Sequence, residues 1–376
     1  MSSAAEHEAR LPDAARHPHA AAVLGPALAE GGRPSHAYLF HGPAGSGKRA
    51  VARGLAAALL TEGAANPRTV AERVARDSHP DLTWVRPSGA AEMLVGDIEE
   101  PVVAAATRTP FESARRVFVI EAAETMNDQA ANRLLKTLEE PPSFAHLVLL
   151  SDRLADVLPT IVSRCQLVRF DPLPPAMIEA ALIGSGVSPE QARACARLAR
   201  GDTALAARLA SPEGEALRGA AEAFARAALA GDTGGRPWLD LLEAARTAGA
   251  NAGEQAAERL AGELELLPVK ERKRHQREGL EARRRGERRA RTGTLELGLA
   301  LTELWLRDVL CLLEGAPQLI FAADRREEIE EDAAAVDGDR VARAVELVGA
   351  TRLSLSVNVS EELALEALAY EIGGAA

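Results

Sequence analysis

One stretch restricts the fold of this chain more than any other: His36-Ala37-Tyr38-Leu39-Phe40-His41-Gly42-Pro43-Ala44-Gly45-Ser46-Gly47-Lys48-Arg49-Ala50. Its apolar start reads as a short buried strand, the glycine-rich middle as a turn, and Arg49 to Leu60 as a helix. Strand, G-x-x-x-x-G-K and helix in that order make a phosphate-binding P-loop. The glycines let backbone N–H groups face a polyphosphate at a helix N-terminus, where the partial positive charge favours anions, and Lys48 reaches the outer phosphates. The expected cradle is Gly42, Gly45, Ser46, Gly47, Lys48 and Arg49. Its last position departs from the pattern. A Ser or Thr hydroxyl normally helps hold Mg²⁺ there, and a guanidinium cannot ligate a cation. A tight turn would account for the glycines alone, but the flanking strand and helix favour the phosphate loop.

The 376 residues suffice for two or three domains, each burying its own core. A formal charge of −11 argues against a chain that coats nucleic acid over its whole surface, although a local basic patch stays open. One such patch is Lys270 to Arg291, with eleven Lys or Arg against four Glu. It reads either as a solvated helical face or as a track for DNA phosphates; without aromatics it cannot stack bases. Cys165, Cys195 and Cys311 are odd in number and widely spaced, so they form neither a metal-ligand pair nor a disulfide framework, as expected in a reducing cytosol. No basic start leads into an apolar core, and no run of about 20 apolar residues occurs, so neither export nor membrane insertion is expected. Aromatics at 3% and abundant alanine favour helix–helix packing over an all-β design.

Along the chain, residues 1–35 read as a loose arm followed by one helix from Ala20 to Glu30. Thr61 to Ser78 reads as helical, His79 to Val85 as a strand, and Gly96 to Thr107 as an amphipathic helix. Arg115 to Glu121 is an apolar run suited to the middle of a parallel sheet and ends on a carboxylate. A helix from Asn127 to Glu139 stops at Pro141-Pro142, and further strands are expected in Ala145 to Leu150 and in Ile161 to Phe170. Strands alternating with helices argue for a parallel sheet covered on both faces. Beyond the hinge-like Pro172-Leu173-Pro174-Pro175 the strand signals vanish and only helices are predicted.

A nucleotide-hydrolysing site also needs a second strand ending in Asp-Glu, one carboxylate on the Mg²⁺ shell and one polarising the attacking water. Here the strand ends Glu121-Ala122-Ala123-Glu124: Glu121 holds the metal-side position and Ala122 the position of the water-activating group. Glu124 either substitutes from the next turn or serves as a surface or capping residue.

The run Asn132-Arg133-Leu134-Leu135-Lys136-Thr137-Leu138-Glu139-Glu140-Pro141-Pro142, with Ser163-Arg164-Cys165 after it, resembles the bacterial DNA polymerase III clamp loader, an AAA+ family. His36 to Leu39, Gly42 to Lys48 and His79-Pro80-Asp81 fit the same resemblance, which covers residues 10–215 and extends to the rest by length and helical character. It implies an AAA+ P-loop domain with a parallel sheet over residues 1–171, a small helical lid over 172–211, and an all-α collar domain over 212–376. Within that family the departures at Arg49 and Ala122, and Ala204 where a γ-phosphate-contacting arginine would stand, resemble the delta-prime type rather than the hydrolysing gamma/tau type.

The resemblance further implies that Arg164 is an arginine finger acting in trans, offering a guanidinium to charge developing on a neighbour's γ-phosphate. The competing account is a loop cap or surface ion pair. Cys165 reads as a small buried hydrophobe. Relatives carry a four-cysteine zinc module where Thr61 to Ser78 has no cysteine, so no zinc is expected and His79 reads as a packing residue. ATP or ADP held without hydrolysis is the expected cofactor. The implied partners are the gamma/tau and delta subunits and, through the complex, the sliding clamp and primed DNA, in the cytoplasm. A gamma-type ATPase and a general AAA+ adaptor such as a helicase loader remain alternatives.

Overall fold

Five short apolar runs form five parallel strands: β1 (Ala37–His41), β2 (Leu82–Val85), β3 (Arg116–Ile120), β4 (Ala145–Ser151) and β5 (Gln166–Arg169). They lie in the order β2-β3-β4-β1-β5. The structure, a computed structural model, describes residues 11, 14–87, 92–266, 269–355 and 359–374. The chain divides into two compact units, Met1–Ile178 with Arg200–Ala204, and Glu179–Ala199 with Leu205–Ala376.

Side chains alternate across each strand, so the sheet has two cores. Tyr38, Phe40, Val117, Val119 and Val148 face one side, where Leu24, Leu55, Leu59 and Val74 cover them from α1 (Pro18–Leu28), α2 (Lys48–Leu60) and α3 (Pro67–Ala75). Leu39, Phe118, Ile120, Leu147 and Leu149 face the other. They meet Ile98 of α4 (Val95–Ile98) and Leu134 and Leu138 of α5 (Asp128–Glu139). Burial on both faces is why these strands read as near-continuous apolar runs rather than as alternations.

The helix expected over Thr61 to Ser78 is shorter. Thr61 to Asn66 form a turn, Asn66 caps α3 by accepting the Thr69 N–H at 3.3 Å, and Pro67 takes the first helical position. The helix expected over Gly96 to Thr107 changes type after α4: Glu99–Ala104 is a π-helix, consistent with Pro101 having no N–H for the α-helical ladder. The strand expected within Ile161 to Phe170 is confined to β5, preceded by the short α6 (Pro159–Val162). The start of the expected N-terminal arm, residues 1–10, lies outside the described residues.

The unit boundaries fall within α7 (Pro175–Gly184), between Ala199 and Arg200, and within α9 (Thr203–Leu209). All other regular elements of the second unit are also helical: α8 (Pro189–Leu198), α10 (Pro212–Ala230), α11 (Leu239–Leu266), α12 (Val269–Leu313), α13 (Arg326–Ala335), α14 (Gly338–Leu355) and α15 (Glu361–Gly374), with short 3₁₀ turns between. Leu241, Leu242, Leu295, Leu299, Trp305, Leu306, Leu365 and Leu368 are among its buried residues. Helices α11 and α12 form an antiparallel pair, since Gly249 lies against Arg291, Gly253 against Glu287, and Leu260 against Gly279.

Candidate nucleotide site

The P-loop leaves the C-terminal edge of β1, between β4 and β5, and runs into α2 with Gly47 at its N-cap. This is where open parallel sheets bind ligands. Gly42 donates its N–H to the Ser151 carbonyl at 3.3 Å, and a Cβ on it would lie 2.0 Å from the Phe170 carbonyl oxygen. Only glycine lets the exits of β4 and β5 close on the loop. Gly45 has φ +68°, and a Cβ there would lie 1.7 Å from the Asp202 carboxylate carbon. The Thr203 N–H donates to the Gly45 carbonyl at 3.2 Å, so the Arg200–Ala204 segment of the first unit seats directly on the loop.

Lys48 is buried and folded back into its own turn. Its Nζ donates to the carbonyls of Gly42 at 2.5 Å and Pro43 at 2.6 Å and to Ser46 Oγ at 3.3 Å, and pairs with Asp152 Oδ1 at 2.8 Å. Arg49 is held elsewhere. Its Nη2 lies 2.6 Å from Glu121 Oε2. The same buried carboxylate accepts from Trp84 Nε1 at 2.6 Å and from Arg86 Nε at 3.2 Å. Two guanidiniums therefore neutralise, and an indole N–H further occupies, the acid that stands where a Mg²⁺ shell would need it. Ala122, next along, has a left-handed backbone (φ 52°) and no acceptor group. Glu124 Oε1 accepts the Asp152 N–H at 3.2 Å, which brings Glu124 beside the partner of Lys48.

These residues fit phosphate through the loop's N–H groups and Lys48, provided Lys48 exchanges its present partners. They do not fit Mg²⁺-dependent hydrolysis: the hydroxyl, the uncommitted metal-side acid and the water-activating acid are absent from their positions. Among the described residues no group of three or more His, Cys, Asp and Glu side chains is placed to hold a metal ion.

Arg164 is not brought together with the loop. It follows α6 and lies two residues before β5, at the edge of the sheet where strands begin, whereas the loop leaves the edge where β1 ends. Its Nη2 pairs with Glu139 Oε1 at 2.6 Å, and its Nη1 donates to the Thr160 carbonyl at 3.0 Å; the side chain is about one-third exposed. Burial pushes the neighbouring Cys165 thiol up to about 12, which removes it as a nucleophile at neutral pH. His79 and Asp81 form a structural corner. Burial lowers the His79 pKa, its Nδ1 accepts the Asp81 N–H at 3.2 Å, and the buried Asp81 carboxylate accepts the N–H groups of Phe111, Glu112 and Ser113. Asp152, Asp202, Trp84 and Arg86 are the site residues that sequence reasoning missed. The available signal was a carboxylate just past a buried strand, at Asp152.

The family described as "DNA polymerase III, delta subunit" matches residues 17–174, the segment that carries the whole sheet and the loop. The likeness is to that family over those residues, less than half of the chain. The delta-prime subunit of Bacillus subtilis is 38% identical over 172 residues, 44% of this chain and 51% of that protein. The gamma/tau subunit of Mycobacterium tuberculosis is 37% identical over 169 residues, 44% of this chain and 29% of that protein. The chain thus spans about half the length of the delta-prime relatives it matches. A solved gamma-subunit-related protein of Thermotoga maritima aligns over 90% of this chain and 96% of its own at 16% identity, with a TM-score of 0.39. No helix among the described residues is long and apolar enough to cross a membrane.

Proposed function

We propose that the chain serves as a delta-prime-like subunit of the DNA polymerase III clamp loader. In this reading it does not hydrolyse ATP, and it offers Arg164 to the ATP site of an adjacent gamma/tau subunit. The carrying observation is the Arg49–Glu121 ion pair with Ala122 beside it. Hydrolysis needs a cation-holding acid and a water-polarising acid, and here one is neutralised and the other is a methyl group. The position of Arg164, at the sheet edge opposite its own loop, supports action on another molecule. Relatives of both the delta-prime and the gamma/tau type support the partners, gamma/tau and delta, and through them the sliding clamp and primed DNA in the cytoplasm.

ATP or ADP is held without turnover if Lys48 releases Asp152 for a phosphate. Calorimetric titration that shows no heat, with no competition by a fluorescent analogue, removes that part of the proposal. The main test is reconstitution with gamma/tau and delta. Arg164→Ala is expected to leave assembly by gel filtration intact and to slow the complex's ATPase by about a thousandfold, the lower end for arginine fingers. Unchanged turnover refutes the finger. Rapid ATP turnover by the isolated chain, abolished by Lys48→Ala and by Glu124→Gln, would instead make it a gamma-type ATPase.

A further inference from the structure

The basic run absorbed into α12 has no part in the nucleotide site, and its setting is unlike that of the rest of the second unit. From Glu254 to the end of α11, and along α12 up to Gly293, no described residue is buried. The two helices there form an arm, each packed on the other. On α12 this arm carries eleven Lys or Arg against four Glu between Lys270 and Arg291, in a chain of net charge −11.

Helical geometry sorts those charges. Arg277, Arg284 and Arg288 are spaced by seven and four residues, which at 100° per residue places them within about 40° of one another on one stripe. All three are exposed, and among the described residues none has a carboxylate partner. Other arginines of the arm are engaged: Arg283 with Glu287 at 2.8 Å, and Arg291 with Glu361. Glu281 alone interrupts the stripe, and it lies 3.9 Å from Arg285. At the base of the arm a groove of about 570 Å³ is lined by five arginines, among them Arg284, Arg288 and Arg246 from α11, against two carboxylates, Glu254 and Glu287. Gly249 lies in its floor.

We propose that this stripe binds the sugar–phosphate backbone of duplex DNA. The eleven helical steps from Arg277 to Arg288 span about 16 Å, over which one DNA strand presents about five phosphates. A row of unpaired guanidiniums suits phosphate oxygens, and the lack of aromatics in the run leaves base stacking out, so binding is independent of sequence. The choice of DNA among polyanions rests on the replication reading above; the stripe itself does not.

The test uses the full chain and a labelled duplex of about 30 base pairs of arbitrary sequence, followed by anisotropy from about 50 to 200 mM salt. The log–log slope of affinity against salt is expected near −3 to −4, at about 0.9 per phosphate neutralised. Arg277→Gln, Arg284→Gln and Arg288→Gln together should remove about three units of that slope and at least tenfold of the low-salt affinity. Glu281→Gln should tighten binding severalfold. Absence of binding, or an unchanged slope in the triple variant, overturns the proposal. Capture of polyglutamate as tightly as duplex also overturns it and reassigns the stripe to an acidic protein. Assembly with gamma/tau and delta, measured on the same variants, reports separately on the replication reading.

Discussion

Arg49 and Glu121 form a 2.6 Å ion pair in which the two partners are solvated very differently, the arginine side chain 74% exposed and the carboxylate 5%. Removing the exposed partner leaves Glu121 with Trp84 and Arg86, so Arg49→Ala should cost under about 1 kcal/mol, as for other largely solvated pairs. Removing the buried partner is different. Glu121→Ala leaves the Trp84 indole N–H without its acceptor and Arg49 and Arg86 without their shared anion, at about 2–3 kcal/mol. Urea unfolding of the two variants should therefore rank them in that order, and equal losses would mean that Arg49 holds Glu121 in place. Neither variant should gain ATPase activity, because Ala122 still offers no base.

Between α4 and β3, the loop through Phe111, Glu112 and Ser113 is fixed by one side chain. Burial alone would raise the Asp81 pKa, but three backbone N–H donors more than reverse this and hold it below the ordinary aspartate value. A depressed carboxyl contributes stability that is present above its unfolded pKa and lost as pH falls through its folded pKa. Asp81→Asn should cost about 2–3 kcal/mol at neutral pH. The gap to the parent should narrow as pH falls below about 4, read as urea midpoints across the range. A gap that stays constant with pH would mean that the carboxylate charge is not what holds the loop. The corner shows what was legible in the sequence. His79-Pro80-Asp81 was visible as a motif, but the partners of Asp81 lie about thirty residues on, at spacings that no helical or strand period contains. Strands buried on both faces and the strand–loop–helix order were readable because each is local. The folding back of Lys48 onto Asp152, the approach of Asp202 to Gly45 and the sharing of Glu121 by Arg49, Arg86 and Trp84 join segments that only the sheet order brings together. Pro101 sits inside the helix expected over Gly96 to Thr107, and the chain continues past it as a π-helix with Val102 buried in the core on that face of the sheet.

Across the whole molecule, the two units and the arm divide stability from contact. The first unit buries both faces of its sheet, and the second buries the leucines of α11 and α12 on the near side of Gly253 and Thr294. The arm beyond them has no described buried residue, so little apolar area is lost when it is removed. Replacing residues 254–290 with a short glycine-rich link shortens two helices that otherwise pack on each other. It should shift the thermal midpoint by no more than about 2–4 °C, the equivalent of roughly 1 kcal/mol in a domain of this size. On the proposed clamp-loader reading the excised chain should still assemble with gamma/tau and delta, while its affinity for duplex DNA falls to that of the triple arginine variant. A midpoint that collapses would mean that the two arm helices support the core from outside. A midpoint and DNA affinity that both survive would mean that the chain meets DNA through the remaining 339 of its 376 residues, those outside the 37 removed.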